Sequence, residues 1–154
     1  MALCFVVSQP DCDVFILPLT TGRLMGVFIV ENSLSVRTSI QSVLSDMPEV
    51  KVIGHAMNEA GTCERIGVLR PDVVILSLGL QSGSGISVLE HVKELYSHIK
   101  VIVLTHFADA EYIERCKRAG AEYLFDKANQ LMQLREILLL WARTVGKDIA
   151  PVAE

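Results

Sequence analysis

From residue 25 onward, short apolar runs alternate with longer stretches in which apolar positions recur every three or four residues. The first pattern predicts strands and the second amphipathic helices. Val27–Val30, Val50–Ala56, Val73–Ser77 and Val101–Thr105 read as strands, with a shorter fifth at Ala121–Phe125. Val73 to Leu76 is unbroken and rich in β-branched residues, the mark of a strand buried on both faces of a parallel sheet. Charged Lys51 predicts partial exposure for the second strand. Ser33 or Ser35 caps a helix that turns Val36, Ile40, Val43, Leu44 and Met47 to one face, and Pro48 ends it. Asn58 caps a helix from Glu59 to Leu69, closed by Pro71. Ile86–Tyr96 turns Val88, Leu89, Val92 and Leu95 inward. Asp109 caps a helix whose Ile113, Cys116 and Tyr112 face the sheet, and Gly120 terminates it. Asn129 opens the last helix, which runs to Val145. Five strands alternating with five helices imply right-handed crossovers. The expected fold is α/β: a doubly wound five-stranded parallel sheet in a three-layer α/β/α arrangement.

Residues 1–24 follow another pattern. Leu3–Val7 and Val14–Leu17 are β-prone runs separated by Ser-Gln-Pro-Asp-Cys-Asp, and Pro18 ends the second. They read as a hairpin or arm. Unpaired apolar strands are a hazard in water, so this segment is expected on an edge of the main sheet or on a second subunit. The competing expectation is a translation start at Met25. Residues 146–154 form a polar tail with one proline. The division is therefore an N-terminal extension (1–24), a domain (25–145) and a C-terminal tail (146–154).

Composition narrows the function. Hydrophobic residues make up 51% and charged residues 21%, which excludes a disordered chain. The net charge of −4, without a Lys/Arg cluster, argues against a nucleic-acid surface. Cys4, Cys12, Cys63 and Cys116 form no CxxC pair and sit at no metal-site spacing from the histidines, which fits free thiols in a reducing compartment. No apolar stretch is long enough to span a membrane and no export signal opens the chain, so a cytoplasmic location away from membranes is expected.

Chemistry is expected past the carboxyl ends of the strands. Ser77 ends the third strand and is followed by Gly79, Gln81, Ser82, Gly83, Ser84 and Gly85. With His106 and Glu31 it can be drawn as a Ser/His/Glu cluster. The glycine that precedes the serine of a nucleophile elbow is missing, however, and no oxyanion donor pair is evident. An enzyme or phosphotransfer protein using Ser77 is therefore the weaker reading. The glycines fit neither a P-loop nor a dinucleotide fingerprint, and a flexible loop is expected. His55, His91 and His98 read as surface residues with no partner nearby in sequence. In the last helix, Leu131, Leu134, Ile137, Leu138, Trp141 and Val145 make the inward stripe. Met132, Leu139 and Leu140 fall outside it and predict a second contact face.

Together these motifs resemble the receiver domain of bacterial two-component response regulators, CheY-like and flavodoxin-like, especially those that precede helix-turn-helix output domains. The resemblance covers residues 25–145. It rests on Val-Glu-Asn ending the first strand, Arg37, Arg-Pro-Asp-Val-Val-Ile-Leu before Ser77, and Gly85. It continues through Val-Ile-Val-Leu-Thr at 101–105, Ala-Gly-Ala at 119–121, and Lys127. It implies strand order 2-1-3-4-5 and a phosphoryl transfer from phosphohistidine to an aspartate, assisted by Mg²⁺ held on an acidic pair. Carried onto this chain, the acidic pair becomes Glu31 and Asn32, and the acceptor becomes Ser77. The metal-binding carbonyl is that of Gly79, and the phosphate contacts are Thr105 and Lys127. The coupling aromatic becomes Leu124, beside Tyr123. A serine is barely ionised at neutral pH and needs a base, Asn32 carries no charge, and Mg²⁺ prefers anionic oxygen. The resemblance with these departures implies a pseudo-receiver that is no enzyme and uses no metal or cofactor, with Lys127 paired to Glu31. Glu31, Asn32, Ser77, Thr105 and Lys127 are expected to line one pocket. An unidentified protein partner is expected, with a homodimer over the fourth helix, fifth strand and fifth helix through Ile113, Leu124, Met132, Leu139 and Leu140. The remaining alternative is the receiver part of a longer DNA-binding regulator.

Overall fold

A computed structural model describes residues 23–106 and 109–145. The expected N-terminal hairpin or arm, save Arg23 and Leu24, and the C-terminal tail lie outside the described residues. The elements are β1 (Met25–Val30), α1 (Leu34–Ser45), β2 (Val50–Ala56), α2 (Glu59–Leu69), β3 (Val73–Ser77), α3 (Gly85–Leu95), β4 (Lys100–Thr105), α4 (Ala110–Ala119), β5 (Tyr123–Asp126) and α5 (Leu131–Val145). All strand pairs are parallel, in the order β2-β1-β3-β4-β5.

Alternation along the strands divides the core in two. Val27, Ile29, Val73, Ile75, Ile102 and Leu104 pack beneath α1 and α5, against Ile40, Leu44, Leu134, Leu138 and Trp141. Phe28, Val30, Val74, Leu76, Val101 and Val103 pack on the opposite face beneath α2, α3 and α4, against Ile66, Val88, Leu89, Val92 and Cys116. Both β1 and β3 are buried throughout, because each lies between two strands and two helical layers. The open-edge strand β2 is only partly buried. A bulge between Val27 and Phe28 resets its register, so that Gly54, His55 and Ala56 pair with Phe28, Ile29 and Val30.

Helix boundaries follow local chemistry. Ser33, rather than Ser35, caps α1, its hydroxyl accepting from the Val36 amide at 3.5 Å. Asn58 and Asp109 cap α2 and α4 in the same way. Gly120 ends α4 at φ +99°, where a side chain would be strained. That turn shifts the expected fifth strand: the Ala121 amide returns to the Cys116 carbonyl and the Glu122 amide to Val101, so β5 begins at Tyr123. Likewise α5 begins at Leu131, because the Gln130 amide and side chain close a turn on Asp126. Tyr112 and Leu95 were expected to face inward but are exposed at 45% and 58%, one in the first turn of α4 and the other the last residue of α3.

Candidate functional site

The site is built where the chain leaves β1, β3, β4 and β5. Glu31 follows β1 and is 1% exposed. Its Oε1 accepts the Ser33 amide at 2.9 Å. Its Oε2 accepts the Ser77 hydroxyl at 2.8 Å and pairs with Lys127 Nζ at 2.6 Å. Lys127 is aimed inward because its own amide donates to the Thr105 carbonyl at 3.1 Å, fastening the turn after β5 onto β4. Asp126 steadies that turn by accepting the Ala128 amide. Burial pushes the Glu31 carboxyl up, but Lys127, the Ser33 amide and Ser77 together outweigh it and hold the carboxyl below the usual glutamate range. It is ionised at neutral pH. The stability it contributes is fully present above the ordinary glutamate value and is lost as pH falls through the lowered native value.

Outside this buried pair lies a cavity of 340 Å³ lined by Leu78, Gly79, Leu104, Thr105, His106, Tyr112 and Lys127. The expected pocket of five residues is thus split. Thr105 and Lys127 line the cavity; Glu31 and Ser77 are buried and do not; Asn32 is exposed at the start of the turn into α1. Of the Ser/His/Glu cluster, the serine and the glutamate are brought together. Ser77 donates to Glu31, and His106 lines the cavity.

The loop after Ser77 is pinned, contrary to the expected flexible segment. The Gln81 amide donates to the Met57 carbonyl, the Glu59 amide to the Ser82 carbonyl, and the Ser84 amide to Glu59 Oε2 at 2.9 Å. Two of the loop's amides are therefore consumed by the β2–α2 turn. A Cβ on Gly85 would stand 2.7 Å from the Leu78 Cα and the Ser77 carbonyl, both rigid backbone. Gly85→Ala is expected to lower stability by about 1–3 kcal/mol, as overpacking does, and to move the Ser77 and Leu78 amide resonances. A urea titration with an amide spectrum checks both.

Residues 27–139 match the family described as "Response regulator receiver domain". The chain belongs to this family. It is similar to protein-glutamate methylesterase/protein-glutamine glutaminase 1 of Methanospirillum hungatei, at 30% identity over 74% of this chain and 34% of the relative. It is also similar to the oxygen regulatory protein NreC of Staphylococcus haemolyticus, at 29% identity over 80% of this chain and 55% of the relative. It therefore spans a third to somewhat over half of these curated relatives. Among solved structures it resembles the response regulator domain of CheB from Thermotoga maritima, with a TM-score of 0.69, 21% identity, and coverage of 84% of this chain and 100% of the other. It also resembles a DNA-binding response regulator of the LuxR family from Staphylococcus aureus, with a TM-score of 0.70, 21% identity, and coverage of 80% and 99%. The sheet order expected from the resemblance is the order this receiver has.

The donor set of this receiver does not fit Mg²⁺. Both oxygens of Glu31 are engaged, Ser77 offers a neutral hydroxyl and Asn32 a neutral amide. A hard cation needs anionic oxygen. No group of three His, Cys, Asp or Glu side chains among the described residues is placed to hold a metal. No helix among them is long and apolar enough to cross a membrane.

The expected contact face is uneven. Met132 and Leu140 are exposed at 62% and 54%. Leu139 was expected outside the stripe but packs on the α1/α5 core. Ile113 is half-buried, and Leu124 packs on the opposite core. Tyr123, beside Leu124, stacks on Phe125 with ring centroids 5.7 Å apart and tilts against Trp141. Two contributors were missed from sequence: the Ser33 amide on Glu31 and the Glu59 clamp on the glycine loop. The first had a local signal, a carboxylate two residues before a helix cap. The second joins residues 25 apart and had none.

Proposed function

We propose that this receiver acts in two-component signal transduction through protein–protein contact, without phosphorylation of an aspartate at the end of β3. The observation that supports this is the saturation of Glu31. In the family's chemistry a metal and a phosphoryl group are held where Lys127 and Ser77 here neutralise and cap the carboxylate. An internal cation takes the role of the bound one. Ser77 is 1% exposed, and this burial disfavours its use as a nucleophile. Signalling would pass by binding, with a homodimer over α4, β5 and α5 in which Met132 and Leu140 supply apolar contact.

The test is incubation of the full chain with acetyl phosphate and Mg²⁺, followed by intact-mass measurement and sedimentation of the same sample. The unmodified mass and a dimer before and after treatment are expected. Stoichiometric phosphorylation, or a monomer that dimerises only on treatment, contradicts the proposal.

The relatives favour a second reading, in which the unit controls DNA binding. A DNA-binding response regulator of the LuxR family from Staphylococcus aureus has the same fold, and the oxygen regulatory protein NreC is nearly twice as long as the matched region. The intact mass of the protein isolated from its own cells separates the readings. A mass above that of this chain, together with sequence-specific DNA binding, favours the second.

A further inference from the structure

The end of the sheet opposite the Glu31–Lys127 pair leaves apolar side chains in the open. The C-terminal ends of α2 and α3 and the start of β1 lie there. A Cβ on Gly67 would stand 3.1 Å from the Tyr96 hydroxyl, so the two helix ends run side by side. Val68 is 79% exposed, the most exposed large hydrophobic side chain among the described residues, and Leu24, Leu69 and Leu95 are exposed at the same end. At about 3.6 residues per turn Leu95 lies opposite Lys93 on α3. Lys93 reaches away from α2 to Glu122, ahead of β5, so Leu95 is on the side of α2. The incoming chain is tied to this place. Arg23 pairs with Asp72, whose Oδ2 accepts the Gly26 amide at 2.7 Å. Gly26 stands two residues before Phe28 and shares the face that α2 and α3 cover. Asp72 follows Leu69 by three residues and leads into β3, on the other side of β1 from the open edge of β2. Arg70, between them, is exposed and forms no ion pair among the described residues.

We propose that the Val-Phe-Ile-Leu run at residues 14–17 of this same chain docks on the patch formed by Leu24, Val68, Leu69 and Leu95. Leu17 precedes Arg23 by six residues, a reach of up to about 20 Å in extended chain. Leu69 and Val68 precede Asp72 by three and four, so the patch begins within about 15 Å of the place where Arg23 is held. Charge agrees with this seating, since Asp13 stands directly before the run and Arg70 directly after Leu69. The tether also decides between occupants. A segment joined to its dock by so short a link acts at an effective concentration in the millimolar range, which favours it over a second copy of the chain. The four apolar residues of the run and the exposed leucines and valine then leave water together. The dock is at the far end of the strands from the Glu31–Lys127 pair and does not rest on the reading given to that site.

The test uses the full chain, with two differently labelled copies mixed in one sample. Nuclear Overhauser cross-peaks from the Phe15 ring to the Val68 and Leu95 methyl groups are expected within a copy. Cross-peaks found only between copies would give the patch to a second subunit and overturn the proposal, as would their absence. A pair of variants provides an independent reading. Val68→Lys puts a good helix former and a cation in the last turn of α2, where both favour an uncovered helix. A lower urea midpoint is expected instead, because the lysine displaces the docked run. Phe15→Ser is expected to lower the midpoint as well, and the double variant to fall no further than the weaker single variant, as for two residues in one contact. A midpoint unchanged or raised in Val68→Lys, or losses that simply add, overturns the proposal.

Discussion

Lys127→Met is expected to lower folding stability by about 3–5 kcal/mol, the range for removing one partner of a buried ion pair. The substitution leaves the Glu31 carboxylate buried with two neutral donors, Ser77 and the Ser33 amide, and no cation. Removing both charges tells a different story. Glu31→Gln with Lys127→Met is expected to recover most of the loss, because neither ion then has to be desolvated. The pH dependence reverses as well. In the natural protein Glu31 is held low, so the pair's contribution disappears as pH falls through that lowered value. In Lys127→Met, burial dominates and raises the carboxyl, so stability increases as pH falls through the raised value. Urea denaturation at neutral and mildly acidic pH reads both effects. A loss below about 1 kcal/mol, typical of an exposed pair, would show that Lys127 and Glu31 do not depend on one another.

Ser77→Asp carries the second large effect. Ser77 Oγ lies 2.8 Å from Glu31 Oε2, so an aspartate there brings two carboxylates together in a buried site. Two like charges about 4 Å apart at an effective dielectric of about 20 repel by about 4 kcal/mol. Lys127, already paired with Glu31, offsets part of this. The variant is expected to be less stable at neutral pH, to regain stability as one carboxyl takes up a proton, and to be stabilised by Mg²⁺. The natural protein is expected to show no Mg²⁺ effect. Thermal denaturation with and without Mg²⁺ compares the two directly. An equal response in both proteins would mean that residue 77 is not what decides metal binding.

Much of the fold was legible because the relevant signals are local. The apolar run of β3, the caps Asn58 and Asp109 and the terminator Gly120 each act within a few residues. The start of β5 was misplaced because Ala121 and Glu122, apolar or strand-compatible by type, are spent on closing α4 and joining β4. Helical periodicity gave the direction of Leu95, Tyr112 and Leu139 around their helices but not how far the sheet extends beneath each. The first two lie at helix ends and are exposed, and Leu139 is reached by the α1/α5 core. At the site, the pairing of Glu31 with Lys127 was legible only through the family resemblance, which brings an acid after β1 and a lysine after β5 to one crevice although β3 and β4 lie between those strands. The exposure of Asn32, the burial of Ser77 outside the cavity and the Glu59 clamp were not. The clamp joins two turns through residues 25 apart in sequence.

The most direct measurement is the amide and lysine-ammonium spectrum of the natural chain titrated with Mg²⁺ and beryllofluoride. With Glu31 already satisfied, no saturable shift is expected at Glu31, Ser77, Gly79, Thr105 or Lys127. Saturable shifts at these residues, with the Lys127 ammonium released from Glu31, would contradict the account.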